Sequence, residues 1–283
     1  MLEISFNSYD DAQSFFSRLE HLPASSGKFI HLVPPNQVHI DSSDLQTFID
    51  SFVIPAIIQF IIEQKENLLI LSVVENQFFF TDKDEQQQIL HIAQSIMDGE
   101  RSDIPNIQKF IDRTECIQSA LENLLKPNLA FSFESFLTFR LHEYRKRLNH
   151  YAEVAIEEYK LEQEYQNFIQ FLRDYVLSKS PQFEKIHIIY KKRFIICDEH
   201  LQEMPEQDLR KYVDRSLLYH HPMYIDSALL APLVCMAPNA VLIYTDDPEH
   251  GMVQTIQNIF QEKVKIYPIR TMQPLQGDSS MLS

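Results

Sequence analysis

Residues 133–178 read FESFLTFRLHEYRKRLNHYAEVAIEEYKLEQEYQNFIQFLRDYVLS, with no glycine and no proline. Leu137, Leu141, Tyr144, Leu148, Tyr151 and Ala155 follow one another at steps of four and three, the spacing that stacks side chains on one face of an α-helix. Leu161, Tyr165, Phe168, Leu172 and Tyr175 repeat it, but the gap from Ala155 to Leu161 breaks the rhythm, so the buried face turns between the two stripes. One long helix, or two in line, therefore spans residues 133–180. Unbroken it would be about 70 Å long at ~1.5 Å per residue, and a bend or a change of packing partner is expected near Glu157-Glu158.

Working outward, the chain before this helix opens with an expected strand at Leu2 to Phe6 and a helix from about Tyr9 to His21. Extended segments follow at Lys28 to Val33 and Val38 to Ile40. Asp41-Ser42-Ser43-Asp44 offers side-chain oxygens to cap a helix whose apolar residues are Leu45, Phe48, Ile49, Phe52 and Val53. Helices should dominate to about Leu125, with Asp82-Lys83-Asp84-Glu85 starting one that ends near Gly99. Beyond the long helix the texture changes. Ile186 to Tyr190 and Phe194 to Cys197, joined through Lys191-Lys192-Arg193, predict a hairpin, and helices are expected at about Glu206 to Tyr219 and Asp226 to Cys235. Ala240 to Tyr244, Pro248 to Phe260 and Val264 to Tyr267 then make a strand, helix, strand unit with parallel pairing. The expected fold class is mixed α/β of the α+β kind, mostly helical. Its parts are an acidic helical domain at 1–132 with a small α/β start, the central helix at 133–180, an α/β domain at 181–270 and a flexible tail at 271–283.

Of the 283 residues, 45% are hydrophobic and 23% charged, a globular composition, and 40 acidic against 25 basic side chains give a formal charge of −15. The four glycines stand too far apart to form a phosphate loop or a dinucleotide fingerprint. Three cysteines, Cys116, Cys197 and Cys235, make neither a disulfide framework nor a CxxC pair. With no cation before Arg18 the start is unlike a signal peptide, and a cytoplasmic location is expected. Two apolar stretches are weighed as membrane spans. Phe52 to Ile62 is too short on this reading, and Ser227 to Thr245 contains Pro232 and Ala237-Pro238-Asn239 and reads as helix, turn and strand. No membrane span is expected.

Arg140, Arg145, Lys146 and Arg147, with Tyr144 among them, form a basic and aromatic patch in an acidic chain. The plainer account is that Tyr144, Leu148 and Tyr151 are core while the cations pair with acidic residues of the first half. If the patch binds anything, an acidic protein is favoured over nucleic acid, because the field of the whole chain repels phosphates. Asp246 and Asp247 follow a buried strand and precede a helix, where open α/β sheets place ligands and where paired carboxylates could hold Mg²⁺. Capping of that helix explains them more simply. Cys197 with His200, and His220-His221, lack the paired spacing of a zinc site. Neither GxSxG nor HExxH occurs. No catalytic residue, metal site or cofactor is therefore assigned. The expected function is non-enzymatic, an interaction or regulatory protein with an unidentified partner. A Mg²⁺-dependent enzyme or ligand-binding domain at Asp246 and Asp247 is the alternative, and nucleic-acid binding through residues 140–147 the second.

Three runs carry a further resemblance: Asp82-Lys83-Asp84-Glu85-Gln86-Gln87-Gln88-Ile89-Leu90, Phe139-Arg140-Leu141-His142-Glu143-Tyr144, and Glu157-Glu158-Tyr159-Lys160 with Glu164-Tyr165-Gln166-Asn167-Phe168-Ile169. With them the chain resembles the YtxC-like sporulation proteins of endospore-forming bacteria over nearly its whole length. What the resemblance implies is a cytoplasmic bacterial protein linked to sporulation, and it supplies no catalytic residue.

Overall fold

The structure is a computed structural model that describes residues 1–20, 28–101, 103–104, 112–214, 217 and 228–272. The fold is a predominantly helical α+β arrangement with two small mixed sheets. It divides into two compact units, residues 1–160 and 161–283.

In the first unit, strands β1 (Leu2–Ser5), β2 (Lys28–Val33), β3 (Gln37–Ser42) and β4 (Ala130–Ser132) form a sheet of order β2-β3-β1-β4. Only the β1–β4 pair is parallel. Alternation along β1 and β3 sends Leu2, Ile4, Val38 and Ile40 to one face, where all four are fully buried. Helix α1 (Tyr9–Glu20) contributes Phe15 to this core. Rings of Phe6, Phe60 and Phe133 meet at 5.1–5.9 Å centroid distances, within the range of favourable aromatic pairing. A helical run from Leu45 to Asn76 comprises α2 (Leu45–Phe48), α3 (Ile54–Phe60) and α4 (Glu66–Asn76), linked by π turns at Ile49–Val53 and Ile61–Lys65. Asp44 caps it by accepting from the Thr47 N–H. Helices α5 (Lys83–Met97), capped by Asp82, and α6 (Arg113–Leu124), capped by Asp112, complete the layer.

The helical run corrects the expectation that the apolar segment at Phe52 to Ile62 is too short for a membrane span, since it belongs to a longer helical stretch. At 32 residues it is long and apolar enough, by length and composition, to cross a membrane. Ile49, Val53, Ile57, Phe60, Ile61, Ile70 and Val74 instead bury one side of it in the core of the first unit. The second stretch is the helix Leu230–Met236 followed by a strand, as its turn residues indicate.

The long stripe resolves into α7 (Phe133–Phe139) and α8 (His142–Ser178). No glycine or proline marks the interruption at Arg140-Leu141. Leu137 before it and Leu141 within it are both buried, so packing, not local propensity, sets the break. Helix α8 continues without interruption past Glu157-Glu158, where a bend or a change of partner was expected, and the partner changes. Its first stripe ends at Tyr159 in one hydrophobic cluster, and the second begins at Phe168 in another. Leu161, expected at the head of the second stripe, is exposed instead.

In the second unit, β5 (Lys185–Tyr190), β6 (Phe194–Cys197), β7 (Ala240–Thr245) and β8 (Val264–Tyr267) form a sheet of order β6-β5-β7-β8. The β5–β6 hairpin is antiparallel and β7 and β8 are parallel, as read from the sequence, and the structure adds a parallel pairing of β5 with β7. Ile186, Ile188, Ile196, Val241 and Ile243 cluster with Phe168, Leu172 and Val176 of α8. Helix α9 (Glu206–Tyr212), α10 (Leu230–Met236) and α11 (Gly251–Phe260) complete this core. Tail residues 273–283, the His220-His221 pair and parts of the two expected helices around them lie outside the described residues.

Candidate functional site

The basic and aromatic stretch is split by its own helix. Tyr144, Leu148 and Tyr151 turn inward with Leu141, and Tyr144 is fully buried. Arg147 is buried too, its guanidinium 5.3 Å from the centre of the Tyr151 ring. Arg140, Arg145 and Lys146 point to solvent and enter no salt bridge with a described residue. The plainer sequence account therefore holds for Tyr144 but not for the pairing of these three cations. Arg18, Lys65, Arg101 and Arg113, by contrast, each pair with a carboxylate. Phe139, next to Arg140 in the interruption between α7 and α8, is 76% exposed.

Tyr144 enters a polar knot that sequence reading missed. Its hydroxyl donates to Glu66 Oε2 at 2.5 Å, and Arg113 Nη1 donates to Glu66 Oε1 at 2.9 Å. Arg113 also reaches Asp98. In the sequence Glu66 follows the apolar stretch as one of a run of polar residues, Glu63 to Asn67. Continuation of the helix puts it in line with Ile70, Val73 and Val74, all buried, and that spacing was the available signal. Burial raises the Glu66 pKa above its ordinary value, against the pull of the Tyr144 hydroxyl and the Arg113 and Arg147 charges. The same burial, with the carboxylate beside it, pushes the Tyr144 phenol far upward and keeps it a donor. Glu66 is 4% exposed and Tyr144 0%, so the centre of the knot ties α4, α6 and α8 together out of reach of a ligand, and only its Arg113–Asp98 edge meets solvent. Cys116, half-buried on α6, has its thiol raised by burial, which disfavours the nucleophilic thiolate.

At the carboxyl end of β7 the capping expectation needs correction. The helix starts at Gly251, and its cap is His250, whose Nδ1 accepts from the Met252 N–H at 3.2 Å. Asp246 instead accepts from the Ile269 N–H at 3.1 Å and ties the end of β7 to the turn after β8. The Asp247 N–H donates to Thr245 Oγ1 at 2.9 Å, closing a tight turn that holds Pro248 outside the helix. Among the described residues no three His, Cys, Asp or Glu side chains converge as a metal would require. His250 also packs against the stacked Tyr190 and Phe194 rings, at 4.4 and 5.4 Å between ring centroids, so the cap is held by the hairpin.

Cys197 is buried, and burial with the neighbouring Glu203 and Asp198 pushes its thiol up to about 11. His200 is exposed, while Asp198 turns its carboxylate to the N–H groups of His200 and Gln202. The pair is thus not assembled as nucleophile and base. On the same strand pair, His187 stacks on Tyr244, its Nδ1 3.2 Å from the Tyr244 hydroxyl, and burial lowers its pKa.

Comparison with known proteins adds to this geometry. The family model described as the YtxC-like family matches residues 51–265. A protein of Bacillus subtilis (strain 168) named "Uncharacterized protein YtxC" is 42% identical over 269 residues, covering 95% of each chain. No solved structure matches.

Proposed function

This chain belongs to the YtxC-like family, and from that premise we propose that it is a non-enzymatic interaction protein of the cytoplasm of sporulating bacteria. The sporulation setting comes from the family resemblance. The molecular reading comes from one observation: Arg140, Arg145 and Lys146, in a chain of net charge −15, are exposed and bridged to no described carboxylate, in the same stretch of sequence as the exposed Phe139. Isolated cations on an acidic protein relax toward its own carboxylates when these are within reach, as Arg18, Arg101 and Arg113 do here. Three that reach no described carboxylate, in one stretch of chain with an exposed aromatic, suit an acidic protein partner, with Phe139 as an apolar anchor and the cations steering the encounter. Nucleic acid is disfavoured by the net charge, which opposes the approach of phosphates over longer distances.

The test is a cross-linked pull-down from sporulating cells with wild type and the Arg140→Glu, Arg145→Glu, Lys146→Glu variant, reading protein and nucleic acid in each eluate. All three positions are exposed, so the variant keeps the core. The expected result is an acidic protein recovered with wild type, lost with the variant and weakened by salt. Recovery of the same proteins with both forms would sink the reading. Nucleic acid recovered with wild type alone would replace it by the other one.

A further inference from the structure

The sheet of the second unit has two unlike faces. Alternation along its strands turns Ile186, Ile188, Ile196, Val241 and Ile243 to one of them, where they cluster with buried residues of α8, α9, α10 and α11. Ile189, Ile195, Leu242, Tyr244 and Tyr267 turn to the other. All five are half-buried, and none joins a hydrophobic cluster of the described residues or packs against one. Because β5, β7 and β8 are parallel, and parallel strands are as a rule covered on both faces, this second face is one that a partner would complete.

Three rings cross it on neighbouring strands. Register sets Tyr244 of β7 opposite Tyr267 of β8, with ring centroids 5.8 Å apart and planes at 26°. His187 of β5 stands one diagonal step from Tyr244, again at 5.8 Å, with planes at 10°. Lys185 and Lys265 share the face by the same alternation, and both are exposed. Burial lowers the His187 pKa and the charge of Lys185 adds to it, which places that ammonium near the ring. Neither lysine bridges to a carboxylate among the described residues, and nor do the exposed Lys191 and Lys192 at the hairpin turn. The carboxylates beside Cys197 at the β6 edge are engaged, Asp198 by the N–H groups of His200 and Gln202, and Glu203 by Arg193 at 3.6 Å.

We propose that this second face binds single-stranded nucleic acid, with bases stacked on His187, Tyr244 and Tyr267 and phosphates met by Lys185 and Lys265. Aromatic rings beside unbridged cations are the pairing that such strands use. Four-stranded sheets hold two or three bases of single-stranded RNA on their aromatic residues, and rings on three strands spaced ~4.8 Å apart give that room. An anionic bilayer is the worse match, since the large apolar side chains that protrude from the described second unit, Leu161 and Leu177, lie on α8 and not on this face. The net charge that opposes nucleic acid at residues 140–147 belongs mainly to the first unit: residues 1–160 hold 24 acidic and 13 basic side chains, and residues 161–283 hold 16 and 12, so −11 of the −15 lies in the first and −4 in the second. At 0.1 M salt, exposed charges more than about 10 Å away are largely screened.

The probes are fluorescein-labelled single strands of about 12 nucleotides, within the usual size of such sites, RNA and DNA of one sequence, read by anisotropy against the full chain with the duplex as control. At least one single strand should bind, and the duplex at least about tenfold more weakly. Tyr267→Leu should weaken binding about tenfold or more, while Tyr267→Phe, which keeps the ring, should match wild type. The Lys185→Glu, Lys265→Glu variant, at two exposed positions, should weaken it by a similar factor and flatten its fall with salt. Methyl NMR signals of Ile189, Ile195 and Leu242 should shift on binding, and those of Ile188 and Ile243, on the covered face, should not. Absence of binding, wild-type affinity in both the Tyr267→Leu and the lysine variant, or shifts confined to the covered face would overturn the proposal. So would tighter binding to anionic vesicles or to a polyglutamate peptide, self-association removed by the lysine variant, or shifts of the same three signals on deletion of residues 273–283 without nucleic acid. The Arg140→Glu, Arg145→Glu, Lys146→Glu variant should bind the strand unchanged. Loss of binding with that variant alone would place nucleic acid on residues 140–147 and overturn this assignment, so the two surfaces fail separately.

Discussion

Glu66 shows how one residue outside any motif couples three helices. Tyr144→Phe removes the donor to a buried carboxylate and is expected to cost about 1–3 kcal/mol, read as a lower urea midpoint at unchanged slope. Because burial raises the Glu66 pKa above 4.5, the folded chain holds that proton more tightly than the unfolded chain. The stability gained through Glu66 is fully present below 4.5 and is lost as pH rises through the folded pKa. Urea midpoints of wild type and Glu66→Gln, taken from about pH 4 to pH 8 across that titration, should show the wild type losing ground to the variant with rising pH. A constant difference would mean that Glu66 does not titrate in that window. Phe79 carries a different strain: its φ of 62° lies in the left-handed region, and its ring is 78% exposed. Phe79→Gly relieves that backbone cost and should raise stability by up to about 1 kcal/mol, after allowing for the extra freedom glycine gives the unfolded chain. A loss of that size in a thermal or urea melt would show that the ring packs on something in solution.

At the scale of elements, what sequence made legible was whatever local periodicity controls. The β5–β6 hairpin, the parallel β7–α11–β8 unit and the caps Asp44 and Asp82 were readable because alternation, turn residues and side-chain oxygens act within a few residues. The break between α7 and α8 was not, since no residue type marks it and its cause is the packing of Leu137 and Leu141. The partners of Glu66 were illegible for the same reason: Arg113 and Tyr144 are 47 and 78 residues away. In the basic stretch the spacing correctly separated Tyr144 from Arg145 and Lys146, yet could not say that the exposed cations pair with no carboxylate among the described residues. The start of α11 failed differently. Asp246, Asp247 and Pro248 carry the usual signs of a helix beginning, but the tie from Asp246 to Ile269 draws the chain away and leaves the cap to His250. His250→Ala should therefore cost about 1 kcal/mol, while His250→Asn keeps the cap and loses only the contacts with Tyr190 and Phe194. Thermal melts of the two variants separate these contributions. If both fall equally, the rings and not the cap hold the helix.

The whole molecule has two cores and one helix that enters both. Buried residues of the first cluster run to Tyr159 and those of the second begin at Phe168, and no side chain of α8 from Lys160 to Asn167 is buried. Each cluster closes on its own sheet: Leu2, Ile4, Val38 and Ile40 in the first, Ile186, Ile188, Val241 and Ile243 in the second. At about 25 cal/mol per Å² of apolar surface removed from water, a core of that kind is what offsets the entropy of ordering its own residues. Neither cluster borrows a buried residue from the other. Residues 1–160 and 161–283, expressed separately, should therefore each unfold cooperatively with native helix content, and the second fragment should keep α8 helical from Phe168 because Phe168, Leu172 and Val176 still face the sheet. Circular dichroism melts of the two fragments and of the full chain test this. Loss of cooperativity in either fragment would show that the stability of that core depends on the rest of the chain, in spite of the stretch of α8 between the two clusters that holds no fully buried side chain.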